Sequence, residues 1–305
     1  MKKSSDPAEP DNNQPLNLDE PYIPNIALPF EDYDGGIGVG LVEGGLKCYV
    51  DIWFPNGDGD AIAFYWNDAQ TPVWNHTIDD NPPDRLPIQL NRGLVREGDV
   101  DPVFYSVTRP SQTPVDSPRQ KFLVKLNRPG GYDDQPSIPG HSGLRYEVPQ
   151  EIIDNGVGPS EADAGVDITI FHYEHMRKND RIRLAWGRAT VEHLVQPDEV
   201  DTDITIHVDR ATIEAGREGQ VTIAYQVVDV CNNYPDERAP WSADTTVVVD
   251  LNGNRLDAPQ VLVNGIPTQT IDLEQLAGAD VICRVYTHRT DYLVGDTLRL
   301  TWVGT

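Results

Sequence analysis

The chain has 305 residues, with 24 Lys and Arg against 49 Asp and Glu, a formal charge of −25. No cluster of basic residues is dense enough to make a stripe, which excludes nucleic acid and anionic membrane surfaces as partners. No apolar stretch approaches the length of a membrane helix, and no apolar segment follows Lys2 and Lys3, so neither membrane insertion nor a Sec signal peptide is read from the sequence.

Residues 1–17 are rich in Ser, Asp, Pro, Asn and Gln and read as a disordered leader. A repeat then begins. Pro29, Tyr33, Asp34, Gly38, Gly45, Asp60 and Trp66 return as Pro149, Ile153, Asp154, Gly158, Gly165, Asp180 and Trp186, always 120 residues on (149 minus 29, 186 minus 66). Pro267, Ile271, Asp272, Gly278, Asp296 and Trp302 start a third copy with altered spacing. The sequence therefore divides into a first module over 18–131, a second over 132–255 and a partial third over 256–305. The Pro129-Gly130-Gly131 joint suggests freedom between the first two.

Within each copy the apolar period is two, which predicts strands. Ile62, Phe64 and Trp66 alternate with Ala63 and Tyr65, and Ile182, Leu184 and Trp186 with Arg183 and Ala185; Leu298, Leu300 and Trp302 repeat the pattern. A preceding strand is predicted over Lys47–Phe54, Asp167–Tyr173 and Asp280–Tyr286. Phe122, Val124 and Leu126 match Val247, Val249 and Leu251 as the closing strand, 125 residues on. Short strands between Pro, Gly, Asn and Asp turns number about seven per copy, with no convincing helix beyond a turn near Glu274–Ala277. The fold class is all-β: tandem antiparallel β-sandwich modules, two complete and one partial. Cys48, Cys231 and Cys283 fall one per copy, so no disulfide can close within a separately folded module.

These residues resemble the immunoglobulin-like superfamily, with a strand ending in Trp and a later Tyr-x-Val (Tyr105, Val107; Tyr225, Val227) where antibody domains carry Tyr-x-Cys. The string Pro-x-x-x-Ile-Asp, Gly, a strand, Gly-Asp-x-Leu-x-Leu-x-Trp is similar to tandem immunoglobulin-like repeats of large bacterial, especially pseudomonad, adhesin-type proteins. That resemblance spans 18–305 and implies a scaffold or adhesive surface, extracellular or at the cell surface, with no catalytic residue. Asn179, standing where the other copies have glycine, departs from it.

Candidate sites follow from what is not repeated. Trp66, Trp186 and Trp302 share one slot and read as core, whereas Trp53, Trp74 and Trp241, with Tyr234 in the 229–242 loop, are candidates for a ligand-facing surface. Calcium is the one cofactor left open. Asn56, Asp58 and Asp60 place alternate oxygens on a glycine-rich turn, and Asp198, Glu199, Asp201 and Asp203 form a second acidic group; a turn aspartate and a solvated run are the plainer readings. Gly35–Gly40 lacks the following Lys and helix of a phosphate loop and reads as a loop between strands. His172 and His175, three apart, point to opposite faces of a strand and are not a zinc pair.

Three functions stand at this point. The first is a non-enzymatic modular scaffold or adhesin that meets a protein or glycan surface. The second is a calcium-assisted carbohydrate-binding module, and the third a structural segment of a secreted effector or toxin. The partial third copy adds that 256–305 pack on the second module, pair with another chain in self-association, or belong to a longer protein.

Overall fold

The computed structural model describes residues 15–54, 56–79, 81–251, 259–268, 271, 276, 278 and 280–285. Its strands, in chain order, begin with β1 (Gly35–Gly38), β2 (Leu46–Asp51), β3 (Ala61–Trp66), β4 (Trp74–Thr77), β5 (Arg85–Leu90), β6 (Gly98–Thr108), β7 (Val115–Asp116) and β8 (Gln120–Lys125). There follow β9 (Tyr146–Glu147), β10 (Val166–Ile170), β11 (Arg181–Trp186), β12 (Ala189–Leu194), β13 (Ile204–Val208), β14 (Gly219–Val228) and β15 (Thr245–Val249). A small sheet of β16 (Gln260–Val263), β17 (Ile266–Pro267) and β18 (Val281–Arg284) completes the described chain.

Two sheets face each other over each of two cores. In the first, β2 pairs with β5 and, at Tyr49, with Tyr22. The order β1-β8-β6-β3-β4 makes the opposing sheet. Their inner residues, Cys48, Val50 and Ile88 from one side and Ile62, Phe64, Tyr105 and Val124 from the other, belong to one buried cluster. In the second, β13-β10-β9 faces β12-β11-β14-β15, with Ile168 and Ile206 meeting Leu184, Trp186 and Tyr225. Alternation along β3 and β11 is as the sequence predicts: Ile62, Phe64, Trp66, Ile182, Leu184 and Trp186 all face inward. Burying that face supplies roughly 25 cal/mol per Å² of apolar area. This is an all-β protein of antiparallel sheets with one systematic exception: β1 runs parallel to β8, pairing Ile37 with Val124, and the second module repeats the contact as a parallel bridge from Val157 to Val249.

The sequence reading missed short helices, α1 (Val39–Val42), α2 (Gln150–Asn155), α3 (Pro159–Ala164) and α4 (Arg210–Gly216). None is long enough to show a period, and α3 and α4 are held by caps at their N-termini. Asp209 accepts the Thr212 N–H at 2.8 Å as a cap for α4, and Pro159 opens α3 with Glu161 returning to the Gly158 N–H at 3.0 Å. Gly35–Gly38 is a strand and not a loop. Leu298, Leu300, Trp302, Asp296, Asp272 and nearly all of the 274–277 turn lie outside the described residues.

Candidate functional site

The repeated aspartate does the same work in both modules. Asp60, fully buried, accepts from the Gly57 N–H at 3.2 Å and from the Trp53 indole N–H at 3.1 Å. Asp180, fully buried, accepts from the Arg177 N–H at 2.9 Å and from the Tyr173 hydroxyl at 3.1 Å. Arg177 and Tyr173 lie 120 residues after Gly57 and Trp53, so one carboxylate staples the loop ahead of β3 or β11 to the end of β2 or β10.

This settles where several candidate residues stand. Trp53 is part of the first core, its ring buried and its N–H committed to Asp60, so it presents no ligand surface. Trp74, half-buried on β4, stacks on His76, and Trp241 is half-buried with its carbonyl accepting from the His141 N–H. Tyr234 remains exposed. The proposed calcium ligands do not converge. Asp60 is enclosed with its donors, Asn56 donates its side-chain amide to the Trp53 carbonyl, Glu199 takes His193 and the Gln196 N–H, and Asp203 takes His172. Among the described residues no three acidic, His or Cys side chains are grouped to hold a metal.

What the sequence reading did not find is a buried polar junction between the two modules. The turn 229–233 of the second module lies against β1 and β8 of the first. Asp229 Oδ1 organises that turn by accepting from the backbone N–H of Cys231 at 2.9 Å and of Asn233 at 2.8 Å. Asn233 then reaches across: its Nδ2 donates to the Lys125 carbonyl at 2.9 Å, and its Oδ1 accepts from the Val39 N–H at 2.8 Å. The Cys231 thiol points at the Leu123 carbonyl at 3.5 Å. Lys125 returns the contact, its Nζ 3.1 Å from Asp229 Oδ2 and 2.9 Å from the His175 carbonyl. At the rim Glu31 takes Arg177 at 2.9 Å and Lys178 at 3.3 Å.

The glycines of β1 are explained by this approach. A Cβ on Gly36 would stand 2.9 Å from Cys231 Sγ, and one on Gly38 would stand 2.5 Å from both the Cys231 carbonyl oxygen and Asn233 Oδ1. The Pro129-Gly130-Gly131 joint, where the sequence suggests freedom, is fastened: Gly130 donates to the Glu174 carbonyl at 2.9 Å, and Pro129 and Gly130 are buried.

Burial shapes the junction's electrostatics. Desolvation pushes Asp180 up to about 6, against the pull of Lys125 and with a push from Asp229. Desolvation, with the Asp229 charge adding to it, pushes the Cys231 thiol up to about 12. Glu31 is held below the usual carboxylate range by Arg177 and Lys178, which outweigh its partial desolvation.

Beside the junction lies a groove of about 410 Å³ lined by residues of both modules, among them Arg128, Gln226, Asn232, Tyr234, Asp236 and Glu237. Arg128 donates to the Tyr234 carbonyl at 3.1 Å, which anchors the loop, and the Tyr234 side chain, 42% exposed, stands at its mouth.

No family model matches the chain, and no curated protein matches it. Solved structures that resemble it include a Ca2+-stabilized adhesin that helps an Antarctic bacterium reach out and bind ice, at 13% identity over 81% of this chain and 52% of that one, TM-score 0.31. Fibronectin(III)-like modules of Clostridium thermocellum CbhA match at 12% identity over 76% of this chain and 93% of theirs, TM-score 0.38. A C-terminal fragment of intimin in complex with the intimin-binding domain of its translocated receptor matches at 12% identity, 77% and 64% coverage, TM-score 0.32. The chain spans about half the length of the first of these. The sandwich architecture stands on the strand pairings above.

Proposed function

We propose that this protein is a non-enzymatic, adhesin-like scaffold in which two β-sandwich modules, bounded as 18–131 and 132–255, are locked together and present a recognition groove at their junction. The observation that carries this reading is the junction itself. A polar contact buried to this degree, with its amide and carboxylate groups satisfied across the boundary, fixes the modules relative to each other, which suits a spacer or a two-module binding surface better than independent beads.

The groove's chemistry favours a glycan over an apolar ligand. An exposed tyrosine offers a face for a sugar ring, while the amides of Asn232 and Gln226 and the carboxylates of Asp236 and Glu237 offer both donors and acceptors to hydroxyls. Surface exposure outside the cell fits such a role. A glycan array probed with the full chain and with Tyr234→Ala tests the reading: hits that vanish in the variant support it, and an array blank for the wild type, or hits indifferent to Tyr234, sinks the groove as the site. Repeating the array with calcium and with a chelator separates a calcium-assisted lectin from a cation-independent one.

A further inference from the structure

Two of the positions at which the modules depart from their repeat meet at the junction. Arg109 of the first module and Asp229 of the second occupy one place, 120 residues apart, just as Asp60 and Asp180 do. In the first module Arg109 Nε stands 4.0 Å from Asp60 Oδ2, with the two side chains 2% and 0% exposed, so the buried acid is answered from within. The second module has an acid in place of that arginine. Among the described residues, Asp180 and Asp229 are then two buried carboxylates with no cation of their own module in contact, and the positive charge comes from outside, from Lys125 at the end of β8, with side chains 8% and 0% exposed in the Lys125–Asp229 pair. Leaving such a carboxylate pair unanswered in a dry interior is strongly unfavourable, whereas an inserted lysine, also bonded to the His175 carbonyl, compensates it.

The second break is at the lysine. Phe122, Val124 and Leu126 correspond to Val247, Val249 and Leu251, so Asp250, directly after β15, takes the place of Lys125. Part of that face is kept, although Pro159, which has no N–H, stands where Val39 donates to Asn233. Gly156 and Gly158 stand where the first module has Gly36 and Gly38, and Val157 bridges to Val249 as Ile37 pairs with Val124. The covering differs: Leu123, under the 229–233 turn, is 9% exposed, and its counterpart Val248 is 52% exposed.

We propose that charge at this one position sets the order in which modules dock. Lys125 is the key to the Asp180–Asp229 socket; the Asp60–Arg109 socket, already neutral, admits no key; and the Asp250 face of the second module receives a β-sandwich module of the same kind that carries a cation where the second has Asp229. Asp250 also disfavours entry of that face into the acidic socket of another copy, because it would bring a third carboxylate to Asp180 and Asp229 where Lys125 brings a cation.

With the half-buried Cys283 replaced by Ser, Cys231 reports docking, because its thiol lies against the Leu123 carbonyl of β8; Cys48, inside the first core, is the control for unfolding. In the full chain, Lys125→Asp is expected to raise the reaction rate of Cys231 with a disulfide reagent on the order of a hundredfold while Cys48 stays protected. Lys125→Met is expected to raise it on the order of tenfold, and adding Asp229→Asn, whose Oδ1 can still accept from the Cys231 and Asn233 N–H groups, to restore protection. Cys231 as protected in Lys125→Asp as in the wild type, or Lys125→Met with Asp229→Asn as reactive as Lys125→Met alone, overturns the key. If a single variant exposes Cys48 as well, the double variant still decides, since regained protection of both thiols requires that the two charges answer each other.

Mixing carries the second part. Lys125→Asp chains, with their socket vacated, are expected to form a 1:1 complex with Asp250→Lys chains by light scattering and to remain separate from wild-type chains. A complex of equal affinity with wild type, or none with Asp250→Lys, overturns the assignment of the Asp250 face. Neither readout involves the glycan groove, so failure of one reading is distinguishable from failure of the other.

Discussion

Trp53 donates its indole N–H to the buried carboxylate of Asp60 at 3.1 Å, and 120 residues later the hydroxyl of Tyr173 does the same for Asp180 at 3.1 Å. The repeat conserves the bond while changing the aromatic that makes it. Replacing Trp53 by Phe keeps most of the apolar area and removes the donor. The expected loss is about 1–3 kcal/mol, the cost of a hydrogen bond to a buried charged acceptor, read as a lower urea midpoint for the first module. An unchanged midpoint would show that Asp60 does not depend on the indole.

Asp180 gives the second module a pH dependence of unusual sign. Its carboxyl is raised to about 6 in the folded chain against an ordinary value of 3.8. Between those values the folded state binds the extra proton, so stability rises as pH falls from about 7 to about 4 and is lost again as pH rises through 6. The shift corresponds to roughly 3 kcal/mol at most. Asp180→Asn, whose amide oxygen still accepts from the Arg177 N–H and the Tyr173 hydroxyl, is expected to be more stable than wild type at pH 7 and to lose this slope. Melting temperatures of both proteins at pH 5 and 7 check it; parallel slopes would refute it.

Gly38 tests how closely the modules approach. An added methyl would meet the Cys231 carbonyl and Asn233 Oδ1 at 2.5 Å, and the first of these is backbone that cannot turn aside. Gly38→Ala is expected to weaken docking by about 1–3 kcal/mol while leaving both cores intact. Faster hydrogen exchange confined to 229–234 and the ends of β1 and β8 is the signature.

Ser117 and Ser242 form a second repeated device, each hydroxyl accepting a backbone N–H, from Tyr105 at 3.1 Å and from Tyr225 at 2.9 Å. Both sites are buried, so Ser242→Ala leaves a donor without a partner and is expected to cost about 1–3 kcal/mol in the second module. The matching Ser117→Ala should cost the first module a similar amount, measured by denaturant unfolding.

The sequence by itself determined the strands and their inward faces, because alternation along Ile62, Phe64 and Trp66 and along Ile182, Leu184 and Trp186 is a local property of a pleated chain with one wet side. It also separated what repeats from what does not. It misassigned Trp53, since an indole outside the repeated slot looks like a surface aromatic until its N–H is seen on Asp60. The short helices escaped because a turn or two leaves no period to read.

The junction was decided only in three dimensions. Lys125 and Asp229 are 104 positions apart (229 minus 125), and nothing local to either announces the other. The trace they left in the chain was a pair of exceptions to the repeat, arginine replaced by aspartate at 229 and lysine by aspartate at 250. Such exceptions acquire meaning when folding removes water from around a charge, because only then must each buried carboxylate find its cation, and the tertiary structure alone says which module supplies it.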